Sequence, residues 1–124
     1  MVKVSHELPI NMLNRSYDIN DYEYCLPHLL DQNEEYKNHF YKAKKDGRYI
    51  IMDNSLHELG EAYDTKRLLY WINHLEPGEF IVPDVWQNKS LTLVNAKRWL
   101  DIKLPENTTK VAVVQASDYA EAYE

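Results

Sequence analysis

The chain has 124 residues, enough for one ordinary domain and one hydrophobic core. Hydrophobic residues make up 44 %, which excludes disorder throughout. The net charge of −6 and a pI near 5.3 oppose a general nucleic-acid coat, which wants a basic face, but leave open an enzyme that grips nucleic acid through a local patch.

Val2 to Val4 reads as a short first strand, ending at Ser5-His6, and residues 11–22 read as a polar loop. Tyr22 to Leu30 (YEYCLPHLL) favours a strand through its aromatic and Cys content, ending near Pro27-His28. From Asn33 to Lys45 the period is helical: Tyr36, Phe40 and Ala43 share a face, Asp31 or Asn33 caps the start, and Gly47 ends it. Arg48 to Asn54 is the next strand. Asp64 then caps a helix with Leu68, Ile72 and Leu75 on one face, stopped by Pro77-Gly78. Glu79 to Val85 is a strand whose Pro83 is tolerable only near the end. Ser90 caps a helix with Leu93, Ala96 or Lys97, and Leu100 inside, barred from continuing by Pro105. Lys110 to Gln115 is the last strand, and Ser117 caps a final helix from Asp118.

Three of these strands (RYIIMDN, EFIVPDV, KVAVVQ) are apolar without alternation, the pattern of strands buried on both faces of a parallel sheet. The expected fold is α/β: one domain over 1–124 of parallel βα units with about five strands. It is either a small open sheet or a partial (β/α)₈ barrel, since a full barrel takes about 200 residues or more. The pattern stops inside a predicted helix, which favours an N-terminal half barrel. An open sheet edge of that kind predicts self-association.

Chemistry in parallel sheets gathers at the carboxyl ends of the strands. Asp53, Asp84 and Gln115 stand there and are expected to converge on one crevice. Asp53, partly desolvated, is the candidate general acid or base; its alternative role is to organise a turn. Asp84 suits the N–H edge of a purine-like ring, or the capping of a loop. Gln115 both donates and accepts, which suits a keto or amide group. Asn54 and His28 join them as candidate ligand contacts, while His57 and Glu58 read as solvated loop residues. Trp86 reads as a packing residue, with stacking on a base as its functional alternative.

No metal site is expected: HxH, HExxH and paired cysteines are all missing. A metal-dependent barrel hydrolase, drawing on His6, His28 and His57, is the remote alternative. Gly47, Gly60 and Gly78 form no phosphate-binding loop, so no nucleotide cofactor is expected. Cys25, the only cysteine, rules out an internal disulfide and reads as a small buried hydrophobe in a reducing compartment. The N-terminal sequence has no secretory pattern, and no apolar stretch nears the ~20 residues that cross a bilayer. The expected location is cytoplasmic, without a membrane partner.

YIIMDNS resembles the strand and Asp-Ser-Gly-Gly segment of tRNA-guanine transglycosylases, EFIVPDV their next strand, and KVAVVQ their Val-Gln-Gly strand. The Asp-Asn pair is closer to phage-encoded and DNA-modifying relatives, which would place the protein in a host cytoplasm. The resemblance covers about residues 48–120. It implies a (β/α)₈ barrel that exchanges guanine for a 7-deazaguanine in tRNA or DNA through a covalent glycosyl-enzyme intermediate. Asp53 would then transfer the proton near the scissile bond, and Asp84 and Gln115 would bind the base. Asn54-Ser55 and Ala116-Ser117 stand where the family has Gly-Gly, which changes the pocket. The family's nucleophilic Asp belongs to a later strand, beyond the residues of this chain, and its zinc ligands are missing. The chain is therefore expected not to complete the exchange alone; a truncated relative that binds a base, a nucleic acid or a host protein is the non-enzymatic alternative.

Overall fold

Four short strands carry the fold. In the computed structural model, which describes residues 1–123, they are β1 (Glu23–Cys25), β2 (Ile50–Met52), β3 (Glu79–Ile81) and β4 (Thr109–Val111). They form one sheet in the order β1-β2-β3-β4, parallel at every pairing, with Cys25 opposite Met52, Met52 opposite Phe80, and Ile81 opposite Val111. The helices are α1 (Ser16–Ile19), α2 (Pro27–Gln32), α3 (Glu34–Lys45), α4 (Leu56–Leu59), α5 (Thr65–Leu75), α6 (Lys89–Leu100) and α7 (Tyr119–Tyr123). Right-handed crossovers between strands in sequential order place the connecting helices on one side of the sheet.

The strands are therefore not buried on both faces. Cys25, Ile50, Met52 and Phe80 face the helices and are sealed; Tyr24, Ile51, Ile81 and Val111 point the other way and are only half-buried. Parallel strands with helices on one face leave the second face to whatever else can cover it. The sealed face packs on Phe40, Leu68, Trp71, Ile72, Leu75 and Trp99.

Helices α3 and α5 follow the sequence pattern. Asn33 accepts from the Tyr36 N–H at 2.9 Å and Asp64 from the Arg67 N–H at 3.0 Å, so each helix starts on its expected cap. Helix α6 differs. Asn88, not Ser90, is the cap, accepting from the Leu91 N–H at 3.0 Å. The buried residues are Thr92 and Trp99, while Leu93 and Leu100 are exposed. One residue is about 100° of helix rotation. The Trp99 ring, 5.0 Å from Phe80, takes the inner position and turns the leucines outward.

The N-terminal third departs most. Val2–Val4 is not a strand; Val4 instead exchanges two hydrogen bonds with Asp21. The expected loop holds a 3-10 helix (Ile10–Arg15) and α1. The strand at Tyr22–Leu30 stops at Cys25 because Pro27, with φ already near the helical value, starts α2. Ser117 gives way to Asp118, which accepts from the Glu121 N–H at 2.8 Å in front of α7.

Candidate functional site

The chain turns sharply after β2. Asp53 still donates its backbone N–H to Cys25, and Ser55 then adopts a left-handed conformation (φ 63°) before α4 begins. The N–H groups of Asn54 and Ser55 in this turn lie near enough to the Asp53 carboxyl to favour its charged form. Burial pushes the Asp53 pKa up, and nearby Glu58 pushes the same way. The two backbone N–H groups and the Tyr24 hydroxyl pull it down, and the balance lies above the ordinary aspartate value.

Asn54 is sealed from solvent. Its Nδ2 donates to Asp84 Oδ1 at 2.7 Å and to the Val82 carbonyl at 3.1 Å, and its Oδ1 accepts from the Leu56 N–H at 2.9 Å. Asp84 lies just past β3, beyond Pro83, and is buried. Gln115, just past β4, donates from Nε2 to the other oxygen, Asp84 Oδ2, at 2.6 Å, and accepts from the Gln87 N–H at 3.1 Å. The carboxylate is thus held between two amides from neighbouring strand ends. A carboxylate has about four acceptor positions, so each Asp84 oxygen keeps capacity for another donor.

These groups open on one cleft of about 290 Å³ at the carboxyl ends of the strands. Asp53, Asn54, Asp84 and Gln115 all line it, with Tyr24, Ile81 and Val113 as the wall from the half-buried sheet face. Trp86 is not packed away: it lies at the cleft and is 66 % exposed. His57 and Glu58 are exposed and also line the cleft. No lysine or arginine lines it. That composition favours donor-rich, uncharged or cationic ligands over phosphates.

Sequence reasoning missed Glu7 and Tyr24. Glu7 comes from the segment before the 3-10 helix and lines the cleft; burial and the charges of Glu58 and Asp53 raise its pKa. No local signal marks it, because its place follows from the tie between His6 and Asn20, whose Oδ1 accepts the His6 N–H at 2.7 Å. Tyr24 was legible as an outward residue of an alternating strand.

His28 does not line the cleft. It is buried in the first turn of α2, with Nδ1 2.8 Å from Ser55 Oγ and its ring edge-on to Tyr63. Among the described residues no three His, Cys, Asp or Glu side chains are placed to share a metal ion. Among the same residues, no helix is long and apolar enough to cross a membrane. No family model matches the chain, and no curated protein and no solved structure matches it either.

Proposed function

We propose that the cleft binds a guanine-class base, and that the chain is the base-binding part of a transglycosylase-like enzyme exchanging guanine for a 7-deazaguanine in tRNA or DNA. The observation that carries this reading is the Asp84 carboxylate clamped between the Asn54 and Gln115 amides, beside Asp53. A carboxylate presented edge-on pairs with the two adjacent N–H groups of a guanine ring, and a primary amide complements its keto group. Entry of the base exchanges the Gln115–Asp84 bond for bonds to the ligand.

Asp53 has the properties of the proton carrier. Its raised pKa keeps a proton available closer to neutral pH than an ordinary aspartate does, which serves protonation of a departing purine anion. Trp86 offers an uncovered ring for stacking. The sequential strand order and the half-buried second sheet face agree with a partial (β/α)₈ barrel, in which that face would point inward. The glycosyl-carrying nucleophile implied by the resemblance belongs to a strand outside these residues, so the proposal for this chain is recognition and proton management.

Titration calorimetry with guanine, 7-deazaguanine and adenine tests it. Guanine and 7-deazaguanine are expected to bind and adenine to fail, with Asp84→Ala weakening guanine at least about tenfold, the scale of a good bidentate contact. Equal affinity for adenine, or an Asp84→Ala variant that binds as well as the parent, contradicts it.

A further inference from the structure

The turn after β2 carries a cost that its surroundings must meet. Ser55 is a non-glycine residue at φ 63° and ψ 19°, a conformation that is unfavourable outside glycine and persists only where neighbours hold it. Its hydroxyl does not cap α4. It faces His28 instead, across the gap between the β1–α2 and β2–α4 connections, at 2.8 Å from Nδ1, and both residues are buried. A second tie lies alongside, since the Asn54 carbonyl accepts the Tyr63 N–H at 2.8 Å and the Tyr63 ring packs edge-on to His28. The same turn sets the Asn54 side chain against Asp84 and under the Leu56 N–H, and keeps the Asn54 and Ser55 N–H groups close enough to Asp53 to favour its charged form.

We infer that the His28–Ser55 hydrogen bond is a positioning device, which holds the turn left-handed and so aims Asp53 and Asn54 into the cleft. The inference rests on the proposed function for its importance, but not for its test. His28 and Ser55 act through Asp53 and Asn54 and touch no ligand. The device explains why a buried histidine sits one turn behind the cleft without lining it. It also accounts for a serine in a conformation that glycine adopts freely: here a partner side chain holds it.

The test follows the Asp53 carboxyl carbon and the Asn54 and Ser55 amides by NMR, without ligand, in the parent chain, His28→Leu, His28→Asn and Ser55→Ala. Asp53 is faced by Tyr24 from β1, by Glu58 from α4 and by Glu7 from the N-terminal segment, and none of these is altered. In the parent, the Ser55 amide is expected to be protected from exchange. His28→Leu is expected to lower protection of both amides about tenfold, the scale of one lost hydrogen bond, and to move the Asp53 midpoint further up as its N–H donors loosen. His28→Asn puts an amide nitrogen near the place of Nδ1 and is expected to restore both readings. Ser55→Ala, which removes one oxygen, carries the same expectation as His28→Leu and serves if that variant does not fold. An unprotected Ser55 amide in the parent, or an Asp53 midpoint unmoved in folded His28→Leu and Ser55→Ala, overturns the inference. Because no base is present, failure of guanine binding leaves this result readable, and the converse holds as well.

Discussion

Asp53 is held between opposing influences, and their balance decides whether it can work as an acid. Burial and the Glu58 charge raise its pKa; two backbone N–H groups and the Tyr24 hydroxyl lower it. Removing the like charge shifts the balance in a known direction. Glu58→Gln is expected to lower the Asp53 midpoint in a carbon-detected titration, and an unchanged or higher midpoint contradicts the account. Trp86 tests the stacking role: Trp86→Ala is expected to weaken guanine binding by about 1–3 kcal/mol without loss of folding stability, because the ring is exposed. The sequence was informative about the residues at strand ends, since a polar residue closing an apolar run is a local signal. Asp53, Asp84 and Gln115 do face one cleft. Glu7 was invisible, and that His28, though near the end of β1, sits behind the cleft was not legible, because both depend on how the N-terminal segment wraps and where Pro27 starts its helix.

Elements with strong caps and one apolar face were readable, and those with competing faces were not. Helices α3 and α5 have Asn33 and Asp64 in the expected capping roles and bury the expected residues. Helix α6 offers two apolar stripes, and the chain alone does not say that Trp99 outcompetes Leu93 and Leu100 for the core. Substitution separates the two arrangements. Trp99→Ala is expected to cost about 3–5 kcal/mol in denaturant unfolding, whereas Leu100→Lys is expected to stay within about 0.5 kcal/mol of the parent. The reverse ranking would put the helix back on the face that the periodicity suggested. Strands were overextended in the sequence reading for a related reason. Apolar runs continue past the ladder, but Pro83 has no N–H to donate and the turn at Ser55 leads the chain away.

At the scale of the whole molecule, one buried carboxylate ties the N-terminal third to the sheet. Glu23 on β1 is 1 % exposed; it accepts from Ser16 Oγ at 2.6 Å and from Arg48 at 2.8 Å, and His39 Nε2 lies 2.6 Å away. Burial alone would raise its pKa, but the contacts with His39, Ser16 and Arg48 outweigh burial and bring it from 4.5 down to about 2. A lowered carboxylate pKa stabilises the fold above the unfolded value, and that stability is lost as pH falls through the folded value. The drop corresponds to about 3 kcal/mol, present at neutral pH and withdrawn between about pH 5 and pH 2. Glu23→Gln is expected to flatten the acid limb of the stability profile in urea titrations; an acid limb as steep as the parent's contradicts the assignment. The outward apolar residues of α6 and the unpaired edge of β4 extend the argument to association. Sedimentation is expected to show concentration-dependent self-association, reduced by Val111→Lys at the edge; a monomer at every concentration contradicts it.

The central claim is that one base-sized ligand sits against Asp84 and Gln115 at the carboxyl ends of β2, β3 and β4. Chemical-shift mapping with guanine on the labelled chain tests it most directly. The account predicts saturable shifts at Asp53, Asn54, Asp84, Trp86 and Gln115, and none in the 230 Å³ cavity beneath the N-terminal segment, around Leu13 and Phe40. Shifts confined to that cavity, or spread evenly over the surface, would contradict it.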